Sequence, residues 1–272
     1  MIRFIAVVIG LAIAAYLASA AFLYFRQDRL VFPAETTPLA DPATLIPGAR
    51  MVVLHTQDGL DLKAYYRPPE GDGPVILYLH GNAGSIMTRA QRFKLMAQGD
   101  TGLLAVEYRG YAGNPGAPSE AGLVSDAAAG MGYLGTHGIE AGRIVIYGES
   151  LGTNVAVQTA LRFPSAGTVL DAPYTSIADV AASRYPIMPV RLLLRNRFDT
   201  LGRIAALKTP LLVMRTLQDR TVPPAESLAV YEAAPEPKTI WTTQQGTHST
   251  LIENGGLAVL RAFIRRVCPP SP

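Results

Sequence analysis

Arg143-Ile144-Val145-Ile146-Tyr147-Gly148-Glu149-Ser150-Leu151-Gly152-Thr153-Asn154-Val155-Ala156-Val157-Gln158-Thr159-Ala160-Leu161 is the stretch from which the rest of the chain can be read. Its first five residues make a short apolar run with the composition of a buried strand, and Asn154 onward reads as a helix. Between them lies a Gly-x-Ser-x-Gly pattern. The chain must reverse there from strand to helix within one tight turn, and glycines on either side of Ser150 remove the Cβ atoms that would obstruct it. Ser150 is thus expected in a strained backbone conformation with Oγ exposed. The Leu151 N–H is expected to face the helix start, where a developing negative charge is stabilised. The five-residue pattern alone recurs by chance; between a strand and a helix it is specific.

A serine nucleophile needs a base, and the chain has four histidines. His55 lies in the alternating segment Met51 to Thr56, which turns at Asp58-Gly59 into Leu60 to Tyr66 and reads as an early hairpin with His55 on a strand face. His137, in Gly135-Thr136-His137-Gly138, precedes the strand that leads to Ser150, so it belongs at the opposite edge of the sheet, in solvent. His80 follows the run Val75 to Leu79 and opens His80-Gly81-Asn82-Ala83-Gly84-Ser85, a glycine-rich turn of the kind that supplies a second oxyanion donor, which points to the Asn82 N–H. Its imidazole is expected to order that turn. His248 remains, in a loop after the strand-like Thr239 to Thr243 and before a closing helix, and is the candidate base.

The acid should orient that imidazole, in the chain order serine, acid, histidine. Asp219 follows the apolar strand Pro210 to Met214 on a turn ending in Val222-Pro223, and is preferred. Asp171 ends the strand Thr168 to Leu170 and competes for the role, its other reading being a cap of the Ala172 to Ser176 turn.

Seven stretches carry a resemblance: His80-Gly81-Asn82-Ala83-Gly84, Tyr108-Arg109-Gly110-Tyr111, Pro118-Ser119-Glu120, Gly148 to Gly152, Ala172 to Ser176, Asp219 to Pro223 and Gly246-Thr247-His248. In this order, and from about residue 30 onward, the chain resembles the α/β-hydrolase superfamily, and within it the membrane-anchored abhydrolase-domain family that in yeast carries the Bem46 name. Two positions depart from the pattern: Ala112 stands where glycine is common, and Asp171 where glutamate is common. The latter position resembles a structural acid more than a triad member. The resemblance implies an α/β fold with a mostly parallel central sheet and helices on both faces. Short apolar runs alternating with helical stretches independently support a doubly wound sheet. His80, Ser150, Asp219 and His248 all fall at or just after strand carboxyl ends, where such sheets bind ligands.

Residues 174–208 depart from the alternation and read as a short cap. Its Arg191 to Phe198 segment interleaves arginines with apolar residues, and amphipathicity alone does not separate a surface helix from a substrate-contacting lid. On a helix Arg191 and Arg195 share a face, with Arg184 and Arg197 near, and such a basic face could bind acidic lipid. The competing expectation is pairing with acids such as Asp179 and Asp199. Tyr111 is open between pocket lining and packing.

From Phe4 to Phe25 no charged residue occurs, a run of about 22 residues that as a helix would span roughly 33 Å, enough for a hydrocarbon core. Ala18-Ser19-Ala20 has the form of a signal-peptidase site, which gives a secreted or periplasmic alternative. The apolar run continues past it to interfacial aromatics, which favours an uncleaved anchor. Arg3 on one side and Arg26 and Arg29 on the other leave its orientation open. The expected organisation is an anchor over residues 1–26, a linker over 27–48 and a catalytic domain over 49–268.

With 272 residues, 49% of them hydrophobic, one such domain can bury a large core. A net charge of +3 gives little support for nucleic-acid binding. The single cysteine excludes an intramolecular disulfide, and neither metal-ligand spacing nor a nucleotide fingerprint is present, so no metal and no cofactor is expected. The expected protein is a membrane-anchored serine hydrolase acting on a lipid-like or other small acyl ester or thioester. Ser150, His248 and Asp219 form its triad, and the N–H groups of Leu151 and Asn82 bind the oxyanion. The alternatives are a serine peptidase of the aminopeptidase-like branch and a non-catalytic binding protein of the same fold.

Overall fold

The structure, a computed structural model, describes residues 1–269. Eight strands form one sheet: β1 (Arg50–His55), β2 (Asp61–Arg67), β3 (Val75–Leu79), β4 (Gly102–Val106), β5 (Ile144–Glu149), β6 (Gly167–Asp171), β7 (Leu211–Thr216) and β8 (Lys238–Thr243). Their spatial order is β1-β2-β4-β3-β5-β6-β7-β8. β1 and β2 pair antiparallel as the expected hairpin, and β2 joins β4 antiparallel. Every remaining pairing is parallel. The central strands β3, β4, β5 and β6 are buried at every position, as covering both faces of a parallel sheet requires.

Nine α-helices accompany them among the described residues: α1 (Ile2–Val31), α2 (Ala90–Met96), α3 (Glu120–Thr136), α4 (Leu151–Ala160), α5 (Ile177–Arg184), α6 (Val190–Leu193), α7 (Leu201–Ile204), α8 (Pro224–Ala233) and α9 (Leu257–Val267). Two apolar cores result. On one face Leu123, Ala127 and Leu134 of α3, Val155 and Val157 of α4 and Val230 of α8 pack on Leu77, Leu104 and Ile146. On the other, Phe93 and Met96 of α2 and Leu260, Phe263 and Ile264 of α9 pack on Ile76, Val145 and Leu212. Each large apolar side chain buried this way is worth about 1.5–3 kcal/mol. Every residue of α4 is buried, so the helix that starts at Ser150 is held on all sides.

The sequence expectations for the two ends of the site differ from what is built. The amino-terminal helix does not stop near residue 26 but continues to Val31, and the chain beyond it is packed: Gln27, Phe32, Pro42 and Ile46 are buried. Phe32 meets Phe198 of the cap edge to face, 5.9 Å between ring centroids. In the cap, Arg191 to Phe198 is not one helix. Only Val190–Leu193 is helical, Leu194 turns extended, and Phe198 is buried at φ 44°. Arg191 and Arg195 therefore do not share a helix face. Ala112, standing where glycine is common in the resemblance, adopts φ 46°, a region in which glycine is at ease.

Candidate active site

Ser150 sits between β5 and α4 at φ 50°, ψ −118°, a left-handed conformation that L-residues adopt only when their surroundings impose it. The neighbouring glycines are what allow it. A Cβ on Gly148 would lie 2.3 Å from the Gly152 carbonyl oxygen, and one on Gly152 would lie 2.1 Å from the Leu79 carbonyl oxygen. Strand, turn and helix thus approach each other more closely than any side chain permits. The Ser150 N–H is fixed by the Asp171 carbonyl on the adjacent strand at 2.8 Å.

His248 reaches this turn from the loop after β8. Its Nε2 lies 2.7 Å from Ser150 Oγ, and its Nδ1 lies 2.7 Å from Asp219 Oδ2. With the proton on Nδ1 the ring donates to Asp219 and accepts from the Ser150 hydroxyl. Asp219 is held in turn: its Oδ1 accepts the N–H groups of Thr221 (2.8 Å) and Val222 (2.9 Å) on the turn following β7. Burial would raise the Asp219 carboxyl, but the hydrogen bond and charge of His248 and these two amides outweigh it and keep it below its ordinary range. The Leu151 N–H opens α4 and so has no acceptor within its helix. The loop carrying Asn82 is braced from behind: its carbonyl accepts from the Tyr111 hydroxyl (2.8 Å), and its side-chain Nδ2 donates to the Val31 carbonyl at the end of α1 (3.2 Å). Tyr111, whose role the sequence left open, is buried against His80.

The other candidates lie apart. His55 is exposed and contacts Asp61 across the hairpin at 2.6 Å. His137 is exposed and stacks on Tyr133. His80 is fully buried, with Nδ1 2.6 Å from the Gly81 carbonyl, inside the turn it was expected to order; Nε2 lies 3.0 Å from Glu107 Oε1, off the line a hydrogen bond needs. Asp171 neither orients His248 nor caps the turn after it. Its carboxylate is buried, accepts from the Tyr147 hydroxyl and stands 3.5 Å from Arg92. Burial, only partly offset by Arg92, pushes it up to about 6. Arg191 is paired with Asp179 at 2.8 Å, while Arg195 pairs with Asp28 of α1 at 2.6 Å and not with Asp199.

One feature escaped the sequence reading: two arginines beneath the serine turn, Arg89 immediately before α2 and Arg92 within it. Arg89 holds Glu149, the residue before the serine, through Nε at 2.6 Å. Arg92 lies 3.4 Å from the same carboxylate, donates to the Tyr78 hydroxyl at 3.1 Å, and also donates to the Ser249 carbonyl beside His248. Burial works against the Glu149 charge, but the two guanidiniums hold its carboxyl well below the usual range. The arginines thus tie the serine turn to the histidine loop. No group of three or more His, Cys, Asp or Glu side chains suited to a metal occurs among the described residues.

Two cavities meet at Ser150. One, of 420 Å³, is mainly apolar, between α1, α5 and α6, with Leu23, Val31, Val180, Val190 and Leu193 in its wall. The other, of 470 Å³, is more polar and faces the His80 to Gly84 turn and His248.

A sequence model of the alpha/beta hydrolase family matches residues 76–270, and the chain belongs to that family. An uncharacterized protein of Mycobacterium tuberculosis is 40% identical over 84% of this chain and 83% of its own length. An uncharacterized membrane protein of Saccharomyces cerevisiae is 30% identical over 90% of this chain and 91% of its own. The protein bem46 of Schizosaccharomyces pombe is 28% identical over 81% and 79%. Among solved structures, the esterase Pf2001 of Pyrococcus furiosus matches with a TM-score of 0.73 at 20% identity, covering 87% of this chain and 99% of that one, a likeness of fold.

Proposed function

We propose that this member of the alpha/beta hydrolase family is a serine hydrolase that cleaves an acyl ester or thioester. Ser150 Oγ attacks the acyl carbon while His248 Nε2 takes its proton, and His248 then returns that proton to the departing alcohol or thiol. Asp219 holds the ring in the required tautomer and stabilises its charged form. The Leu151 and Asn82 N–H groups receive the negative oxygen. Water, deprotonated by His248, attacks the acyl-enzyme, and the proton passes back to Ser150 Oγ as the bond breaks. The observation that carries this reading is the continuous relay Asp219–His248–Ser150, with 2.7 Å at each step, ending on a strained serine between two cavities. An aminopeptidase-like reading needs an unpaired carboxylate for a free amine. The two acids lining the polar cavity, Glu149 and Glu253, face Arg89 and Arg92 instead.

The experiment is fluorophosphonate labelling of the full chain in membranes, with short esters and long-chain thioesters as competitors. Label should map to Ser150 and vanish in Ser150→Ala, together with ester hydrolysis. Label on another residue, or hydrolysis by Ser150→Ala, would falsify the assignment.

We read α1 as a retained single-pass anchor. It is the one described helix long and apolar enough to cross a membrane, and the Saccharomyces relative is itself labelled a membrane protein. Alkaline extraction of native membranes followed by amino-terminal sequencing tests it: the chain should stay in the pellet and retain residues before Ala20.

A further inference from the structure

The apolar cavity at the serine is not enclosed by the hydrolase domain alone. Leu23, Gln27, Leu30 and Val31 of α1 make one of its walls, opposite Val180 and Ala181 of α5 and Leu193 of α6. Leu23, Leu30 and Val31 each lie three or four residues from Gln27, which keeps the four on one side of the helix. Gln27 is buried there and joins both sides: its Nε2 donates to the Leu193 carbonyl at 3.2 Å, and its Oε1 accepts the Arg195 N–H at 2.8 Å. Asp28 adds contacts to Arg195 (2.6 Å) and Asn196 (3.1 Å). Further back along α1, the Tyr16 hydroxyl donates to the Ile187 carbonyl at 3.1 Å.

Helix geometry turns these contacts into a position relative to a bilayer. At 1.5 Å per residue, Ile2 to Phe22 covers roughly 30 Å, the thickness of a hydrocarbon core, so Leu23 to Val31 remain for the protein. The Tyr16 contact then lies about 9 Å inside the apolar layer, within the depth at which interfacial elements bury their apolar faces. The cap segment held there is suited to that surrounding: Tyr185, Ile187 and Leu192 are exposed, Ile187 at 77% and Leu192 at 87%. Arg191 and Arg195 are already engaged by Asp179 and Asp28, whereas Arg184 and Arg197 donate to backbone carbonyls, so the exposed apolar side chains are the larger part of what this segment offers a bilayer.

We propose that α1 is a substrate-binding element as well as an anchor. It forms the wall of the acyl pocket, and the tip of the cap dips into the bilayer beside it, so that the acyl chain of a membrane-resident ester passes from lipid along Leu23 and Leu30 to Ser150. The proposal rests on the serine-hydrolase and anchor readings above. It assigns acyl-chain selectivity to Leu23 and Leu30, residues of the anchor helix, and commits the apolar cavity to an acyl chain delivered laterally.

The test uses the full chain in phospholipid nanodiscs, with p-nitrophenyl laurate and butyrate as probes. Leu23→Trp should lower the laurate-to-butyrate ratio of kcat/KM by about tenfold or more, the discrimination that one or two methylenes carry in an apolar pocket. Phe25→Trp, on the outer face of α1 and 78% exposed, should leave the ratio at its wild-type value. Leu23→Ala, which asks the fold to accommodate no added bulk, is the second variant, and its enlarged pocket should shift preference toward longer chains. A wild-type ratio in both Leu23 variants, or an equal fall in Phe25→Trp, overturns the proposal. In liposomes containing brominated lipid, Ile187→Trp should show quenching beyond that of the wild-type protein, whose one tryptophan is Trp241. No added quenching overturns the lateral route. Fluorophosphonate labelling of Ser150 in each variant separates the two levels: an unlabelled, inactive wild type fails the hydrolase reading itself, whereas labelled variants with unchanged ratios fail this inference alone.

Discussion

At Ser150 a conformation costing of order 1–3 kcal/mol is held by neighbours that leave no room for relaxation. The surrounding relay predicts distinct outcomes for its members. His248→Ala should lower turnover by several orders of magnitude with the fold intact, since members of such a relay act as a unit; circular dichroism and steady-state rates check both halves. Asp219→Asn should lose about ten-thousand-fold in kcat, because an amide facing Nδ1 favours the wrong tautomer. If Asp171→Asn produced that loss instead, the acid would have been misassigned. These residues were legible in the sequence because each lies in a local signature: glycines flanking Ser150, a turn with proline after Asp219, and a single unclaimed histidine. Arg89 and Arg92 were not, because their partners Glu149, Asp171 and Glu253 come from strands and turns scattered over the chain, and only the folded sheet brings them together.

Among the elements, the strands could be read from apolar runs because a parallel sheet buries both faces, while the cap could not. Arg191 to Phe198 has helical spacing on paper. In the structure, the Arg195 N–H and the Leu193 carbonyl are taken by Gln27 of a helix about 170 residues away, and the chain runs extended to meet them. The stretch expected as a linker, residues 27–48, likewise contributes Phe32 and Ile46 to the core. The β5–β6 pair carries a pH signature. Asp171 rises to about 6 from its ordinary value of 3.8, so the folded state binds more protons than the unfolded state between those values. Stability contributed by this group is therefore fully present below pH 4 and declines as pH rises through 6. Asp171→Asn lacks that decline. Its deficit against wild type should be larger at pH 4.5 than at pH 7, by thermal melts at both; a constant deficit would mean that Asp171 titrates normally.

For the whole molecule, the contact at Val31 gives the long first helix a mechanical part. The carbonyl of Val31 holds the Asn82 side chain, and three residues on Ala34 bridges Gly84, so α1, if it is the proposed anchor, is bolted directly to the turn carrying the proposed oxyanion donor. A rod whose apolar length does not match the local thickness tilts. Tilting of an anchored α1 would swing its bolted end, so bilayer thickness would act on the Asn82 loop even for a substrate that never enters the lipid. Butyrate ester hydrolysis should accordingly vary across phosphatidylcholine bilayers of increasing acyl length, and Asn82→Ala, which keeps the backbone N–H but loosens the bolt, should flatten that dependence. Equal wild-type rates in all bilayers would show the joint to be slack. With the joint taut, a serine hydrolase anchored in this way would gauge the thickness of its membrane, and an ester at the same concentration would be turned over at different speeds in thin and thick compartments.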